Sequence, residues 1–327
     1  MSTDIMTNKT LVVRRPIFPD VLAELRRHAT VIDSQSGTAL EGKALADALA
    51  VADVLMVPAT EPVDASLLSV APKLRLVANI GVGYDNIDVP ACTARGVRVT
   101  NTPGVLDDAT ADFAFALLLA AARRVAEGDA FVRAGTWSAG TTLAMGLDVH
   151  HRVLGIVGLG RIGRAIVQRA RGFDMKVVYH NRHRLTLDEE RQLGVTYAAL
   201  DELLVTADFV LLQVPSSPAT RHLIGAAELA KMKTTAVLVN TARGGVVDDA
   251  ALAEALRKGT IAAAGLDVFE NEPRVHAGLL SLRNVVLAPH AGSATLATRH
   301  AMVRRAADNV IAALTGATPP DLVNKEA

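Results

Sequence analysis

The chain is short of the features that mark secreted, membrane-spanning or nucleic-acid-binding proteins. It has a single cysteine, Cys92, which excludes an intramolecular disulfide framework and fits a reducing compartment. The most apolar run, FAFALLLAAA at 113–122, is too short to cross a bilayer. The opening MSTDIMTNKT has no apolar core, so no signal peptide is expected. Neither sign of charge is in excess, with 34 Lys plus Arg against 34 Asp plus Glu. No basic surplus points to nucleic acid, and no like-charge block suggests an interaction tail. These absences lead to the expectation of a soluble, cytoplasmic protein.

Half of the residues are hydrophobic, although only 3% are aromatic, and Ala, Leu and Val dominate. Such a composition suits a helix-rich α/β protein with a large aliphatic core, and 327 residues allow about two domains. Short β-rich runs alternate with helical stretches, the pattern of parallel sheets. In the first hundred residues the expected strands are 10–13, 30–32, 53–57, 74–79 and 97–101, with helices at 20–28 and 42–50. A long helix is expected over 106–124, opened by Asp and Thr residues that suit a helix N-terminus. A second series of strands follows at 152–157, 176–180, 208–214, 236–240, 261–268 and 284–289, and a last helix at 294–314. Near-continuous apolar runs of this kind suit strands buried on both faces. Two such modules in series predict a cleft between domains as the cofactor site.

Gly158, Gly160 and Gly163 in GIVGLGRIG fit G-x-G-x-x-G between an apolar strand and a helical stretch. The first glycine permits the tight turn and the second lets backbone approach a pyrophosphate. The third allows close packing of helix on strand, with the phosphates at the helix N-terminus. Strand, turn, helix and second strand appear in the order that gives this motif meaning.

That second strand runs out in VVYHNRHR at 177–184, where an NAD-specific fold would offer an acid to the ribose 2′-hydroxyl. No carboxylate occurs between Lys176 and Leu187; Asn181, Arg182 and Arg184 stand there instead. A ribose 2′-phosphate would be repelled by an acid and bound by these groups, each charge-assisted hydrogen bond contributing about 1.5–3 kcal/mol. NADP(H) is therefore the expected cofactor, with NAD(H) possible; a solvated basic turn is the plainer alternative. His180 and His183 have no third ligand or cysteine cluster beside them, so no metal is expected.

Three further motifs each follow an expected strand, which places them at the carboxyl edge of a sheet where α/β ligands sit. VNTARGGVVDD carries Arg243, GLDVFENEP carries Glu272, and APHAGSAT carries His290. The trio suits interconversion of a 2-oxo acid and a 2-hydroxy acid. Histidine is the side chain best poised to move a proton near neutrality, an effect of about 10²–10⁴-fold. A carboxylate against its other ring nitrogen would fix the tautomer and favour the charged imidazole. Arginine can clamp a substrate carboxylate with a fork that lysine cannot match. Taken singly, His290 could be structural, Arg243 a surface ion-pair partner and Glu272 a turn residue.

With these motifs, NIGVGYDNID (79–88), VTNTPG (99–104), DDATADFAFALLLA (107–120) and LLQVPSSPAT (211–220), the chain resembles the D-2-hydroxyacid dehydrogenases over essentially its whole length. The resemblance implies a discontinuous flavodoxin-like substrate domain, 1–102 with 291–327, and a Rossmann-like dinucleotide domain, 103–290. It implies Arg243, Glu272 and His290 as the catalytic trio, with the backbone at Val82 and Gly83 sharing the substrate carboxylate with Arg243. The glycine turn would hold the dinucleotide through Gly158, Leu159, Gly160, Arg161, Ile162 and Gly163. Thr110, Val214, Thr241, Asp267 and Gly292 would line the nicotinamide side, with Pro215, Thr220, Ala242 and His290 also in the cofactor set. The long helices near 106–124 would form a homodimer interface. The missing acid at the end of 176–180 resembles the NADPH-dependent glyoxylate and hydroxypyruvate reductases and the 2-ketogluconate reductases. The expected activity is NADP(H)-dependent reduction of a small 2-oxo acid, glyoxylate or hydroxypyruvate first. The alternatives are a longer 2-oxo acid such as 2-ketogluconate, D-lactate-type chemistry, or a nucleotide-sensing scaffold of the corepressor type. Asn79, Tyr84, Trp137 and Leu143 are the loop positions expected to bear on substrate size.

Overall fold

All the strand pairings within the two sheets are parallel, so every strand return is made by a crossover. The computed structural model describes residues 9–34 and 37–325; residues 1–8, read above for a signal peptide, lie outside them. The chain divides into two compact units, one formed by the residues up to Leu106 and from Thr295 onward, the other by Asp107–Ala294.

The first unit contains β1 (Thr10–Val13), α1 (Pro19–Leu25), β2 (Thr30–Asp33), α2 (Gly42–Leu49), β3 (Val54–Pro58), α3 (Ala65–Ser69), β4 (Leu76–Ile80), α4 (Val89–Ala94) and β5 (Arg98–Thr100). Its sheet runs β2-β1-β3-β4-β5, the flavodoxin-like order. Strand alternation sends Val12, Leu55, Val57 and Val77 into one buried cluster and Leu11, Val13, Met56 and Leu76 into another. The final helix, α13 (Leu296–Leu314), returns to close the second of these. Its Val303, Ala306, Ala307, Val310 and Leu314 recur at helical spacing, giving one apolar stripe against the sheet.

The second unit opens with α5 (Asp107–Ala122) and α6 (Val125–Arg133), then β6 (Val153–Val157), α7 (Arg161–Arg171), β7 (Lys176–His180), α8 (Leu187–Leu193), β8 (Val195–Tyr197), α9 (Leu200–Thr206) and β9 (Phe209–Leu212). It continues through α10 (Ala226–Lys231), β10 (Val237–Asn240), α11 (Asp249–Lys258), β11 (Ala263–Leu266), α12 (Ala277–Leu280) and β12 (Val285–Leu287). The sheet runs β12-β11-β10-β9-β6-β7-β8, the dinucleotide-binding order extended by one strand. Its order reverses between β6 and β9, where such sheets open a crevice for ligands. α5 is apolar on most sides because it is packed into this unit; Ala114, Phe115, Leu117 and Leu118 join Leu154, Ile156, Val237 and Val239 in one cluster. Gly265 makes that approach possible, since an added Cβ would stand 3.1 Å from the Leu117 carbonyl oxygen.

The structure departs from the strands read from the sequence in length and in number: 208–214 shortens to Phe209–Leu212 and 284–289 to Val285–Leu287. The expected strand at 261–268 shortens to Ala263–Leu266, because Asp267 turns its buried carboxylate to the backbone of 291–292. The helix–strand pair α8–β8 was not anticipated. Its signals are local: Thr186 and Glu189 form a capping box, Gly194 ends the helix in the left-handed conformation, and VTY then suits an edge strand. No helix among the described residues is long and apolar enough to cross a membrane.

Candidate active site

β6 delivers the chain to the glycine turn. Gly158 has φ of +100°, and an added Cβ would lie 2.6 Å from the carbonyl carbon and oxygen of Gln213. Gly163 is equally confined, its Cβ position 2.8 Å from the Gly158 oxygen. Gly160 differs: among the described residues nothing lies within 4 Å of its Cβ position. Packing therefore explains the first and third glycines but not the second. Open space beside an α7 N-terminus is what a passing pyrophosphate needs, so these residues fit the dinucleotide. Arg161 and Ile162 fill the first turn of α7, where Arg161 leans 3.5 Å from Asp107. The buried Leu159 donates its N–H to Asn181 Oδ1 at 2.6 Å, tying the glycine turn to the end of β7.

Beyond Asn181 the basic residues separate. Arg182 is exposed, and among the described residues it makes no ion pair. Arg184 is instead held in a fork, both of its bonds to Glu190 being 2.8 Å. His180 approaches the Ala198 carbonyl through Nδ1 at 3.1 Å. Among the described residues no group of three or more His, Cys, Asp or Glu could hold a metal ion.

The loop after β9 folds on itself. Thr220 Oγ1 donates to the Pro215 carbonyl at 2.7 Å and accepts the Ser217 N–H at 2.9 Å, beside Val214. Gln213 donates to Thr241 Oγ1 and so ties the carboxyl ends of β9 and β10 together. Gln213 was quoted in a motif above but given no role.

After β10, Asn240 shapes the arginine loop. It accepts the Ala242 N–H at 3.1 Å and donates to the Arg243 carbonyl at 3.0 Å. Arg243 Nη1 also donates to the Ala242 carbonyl at 2.8 Å. The loop lies tightly on the next one, since a Cβ on Gly244 would fall 1.7 Å from the Phe269 oxygen.

Glu272 and His290 meet directly. Glu272 Oε2 is 2.9 Å from His290 Nδ1, and Glu272 Oε1 accepts the Phe269 N–H at 3.0 Å. Burial opposes ionisation of Glu272, but the hydrogen bonds from His290 and Phe269, with the charges of His290 and Arg243, outweigh it and hold the carboxyl below its ordinary value. An ionised Glu272 accepts, so Nδ1 donates, and Nε2 is the ring atom left for a ligand. His290 itself sits at φ +53°. Asp267, only 2% exposed, accepts the N–H of Ala291 at 2.6 Å and of Gly292 at 2.8 Å. Burial raises the Asp267 carboxyl above its ordinary value despite those bonds. Thr110 on α5 is buried next to Gly292, its Cγ2 3.5 Å from the Cβ position there.

In the first unit, Val82 and Gly83 follow β4 in a loop whose carbonyls all turn inward. Asn101 Nδ2 donates to the Val82 oxygen at 2.8 Å, Asn79 Nδ2 to the Gly83 oxygen at 2.7 Å, and the Thr102 N–H to the Gly81 oxygen at 3.0 Å. Among the described residues the N–H groups of Val82 and Gly83 find no acceptor. Asn79, expected to bear on substrate size, is fully buried and supports the loop through these bonds. Trp137 and Tyr84 are exposed.

Comparison with known proteins agrees with these features. Residues 115–292 match the family described as D-isomer specific 2-hydroxyacid dehydrogenase, NAD binding domain. A glyoxylate reductase of Korarchaeum cryptofilum is 54% identical over 277 residues, 84% of this chain and 83% of the relative. One from Thermococcus onnurineus is 47% identical over 326 residues, 98% of this chain and 97% of that one. Among solved structures, the NADPH-dependent glyoxylate/hydroxypyruvate reductase of Sinorhizobium meliloti, in complex with NADP and malonate, superposes with a TM-score of 0.86 at 36% identity, covering 97% of each chain. A dinucleotide-binding strand order, a glycine turn open at Gly160 and a His–Glu pair at the sheet's carboxyl edge thus meet a family match over more than half the chain, and the protein belongs to the D-isomer specific 2-hydroxyacid dehydrogenases, NAD(P)-dependent oxidoreductases.

Proposed function

We propose that this chain is an NADP(H)-dependent reductase of small 2-oxo acids, glyoxylate or hydroxypyruvate first, forming D-2-hydroxy acids. The observation that carries the chemistry is the 2.9 Å pairing of His290 Nδ1 with Glu272. It leaves Nε2 to give a proton to the substrate C2 oxygen during reduction and to take one back in the reverse direction. Glu272 keeps the ring oriented by accepting from Nδ1. Arg243 clamps the substrate carboxylate and polarises the carbonyl. The bound nicotinamide supplies the hydride that C2 receives.

NADP(H) is favoured because β7 ends without an acid and is followed by the exposed Arg182. The NADP complex of the Sinorhizobium meliloti enzyme supports the same choice, and the glyoxylate reductases among the relatives support the small 2-oxo acid. The test is the initial rate of NADPH and of NADH oxidation with glyoxylate, hydroxypyruvate, pyruvate and 2-ketogluconate. NADPH-favoured turnover of one of the two small acids is expected. NADH-favoured turnover would overturn the cofactor reading, and binding without turnover would point to a nucleotide-sensing scaffold.

We also propose a homodimer. α5 spends its apolar side chains inside its own unit, whereas α6 buries none. Val125, Val132, Trp137 and Met145 stay exposed along α6 and the segment after it, and a second copy of this chain is the proposed cover. Sedimentation equilibrium should give twice the chain mass; a monomer at micromolar concentration would rule this out.

A further inference from the structure

The turn that ends β7 is pinned at both ends, and the pinning divides its two arginines. At its start, Asn181 Oδ1 receives the Leu159 N–H at 2.6 Å. At its end, Arg184 Nε and Nη2 bond the two oxygens of Glu190, each at 2.8 Å, and its guanidinium carbon lies 5.3 Å from the centre of the Tyr197 ring. Glu190 is 7% exposed although it stands on α8. It is held a third time by the fully buried Tyr179, whose hydroxyl donates to Glu190 Oε1 at 2.8 Å and accepts the Leu185 N–H at 2.9 Å. Tyr179 and Arg184 thus close a small network around one buried carboxylate, and the chain at 184–185 is bonded into it twice.

This geometry bears on how the site would select its cofactor. A guanidinium whose Nε and Nη2 both bond one carboxylate, with an aromatic ring 5.3 Å from its carbon, has its orientation fixed and its charge offset by those partners. Arg182, two residues earlier and exposed, has no such engagement among the described residues. Were Arg184 neutral, the Glu190 charge would remain buried on α8 beside the turn, and a ribose phosphate nearby would feel it as repulsion.

We propose that Arg184 is a positioning residue for cofactor choice: with Tyr179 and Glu190 it fixes the 181–185 turn and cancels the Glu190 charge, so that Arg182 alone meets the 2′-phosphate. The proposal rests on the NADP(H) reading above. It assigns Glu190 and Tyr179 a part in specificity without contact with the nucleotide.

The test is equilibrium binding of NADPH and of NADH without substrate, followed by nucleotide fluorescence, with thermal unfolding of each variant in parallel. Arg182→Ala should weaken NADPH at least tenfold and NADH less than twofold. Arg184→Gln leaves Glu190 buried and uncancelled, and should weaken NADPH at least fivefold more than NADH. The pair Arg184→Gln with Glu190→Gln removes both charges and keeps an acceptor for Tyr179. It should return NADPH affinity to within about threefold of the unsubstituted protein, because coupled residues give non-additive effects. Equal NADPH losses in the single and double variants would mean that Arg184 touches the phosphate itself, and would overturn the proposal. Equal losses for both nucleotides would reduce the network to a structural ion pair, and overturn it too. If Arg184→Gln does not fold, the double variant compared with the unsubstituted protein decides between the same outcomes. An unchanged NADPH-to-NADH ratio in Arg182→Ala would instead sink the underlying cofactor reading, so the two failures are told apart.

Discussion

His290 stands on Asp267. Its main-chain N–H donates to the Asp267 carbonyl at 2.8 Å, and the Asp267 side chain takes the next two N–H groups, those of Ala291 and Gly292. A histidine at φ +53° is strained, and such strain persists only where the surroundings over-determine it. Asp267→Asn would replace one of the two acceptors by a donor facing an N–H. It should lower kcat at least tenfold and the melting temperature by several degrees. Unchanged values of both would show that the loop holds its shape without the carboxylate.

The imidazole is the proton relay in the proposed reaction, so His290→Ala should lower kcat at least a hundredfold and leave NADPH binding within about threefold. Single-turnover rates and fluorescence titration separate the two effects. Wild-type turnover would remove His290 from the chemistry.

The same pair gives a pH signature. The Glu272 carboxyl lies below its ordinary value, burial opposing the shift and the His290 contact leading the groups that cause it. A carboxylate depressed in the folded state contributes stability that is complete above its unfolded value and is lost as pH falls through the folded one. In His290→Ala the depression should shrink, leaving only the Phe269 bond and the Arg243 charge against burial, so the fall in melting temperature between about pH 6 and pH 3 should be smaller than in the unsubstituted protein. Parallel curves for the two proteins would show that His290 does not hold the charge.

Arg243→Lys keeps a charge but loses the fork, and should raise KM for the 2-oxo acid and lower kcat, together at least tenfold in kcat/KM. Kinetics like those of the unsubstituted protein would mean that no two-point clamp forms.

The glycines at 158 and 160 should behave oppositely. Gly158→Ala needs a left-handed alanine and drives its methyl into the Gln213 peptide, so a large loss of melting temperature or of soluble protein is expected. Gly160→Ala meets nothing among the described residues; its melting temperature should stay within about 2 °C while dinucleotide affinity falls at least tenfold. Equal destabilisation by the two would show that the space beside Gly160 is not kept for a ligand.

Much was legible along the chain because it is written in local pattern. Near-continuous apolar runs mark most strands, the helical stretches alternate with them, and G-x-G-x-x-G after β6 and the missing acid after β7 are contiguous signals. Arg243, Glu272 and His290 could be named because each follows a strand, and parallel strands bring their carboxyl ends to one edge. What the sequence left undecided is which polar groups spend their bonds on one another. Arg182 and Arg184 are alike as letters, yet Arg184 is engaged by a carboxylate on α8, a helix not anticipated, and by an aromatic ring on β8. Asn79, Asn101 and Asn240 are ordinary loop residues until their amides are found turning the carbonyls of 81–83 and of 243. Hydrogen bonding depends on ångström distances between residues remote in the chain, such as the 2.6 Å from Leu159 to Asn181. Periodicity does not encode those distances; only the closed tertiary fold supplies them.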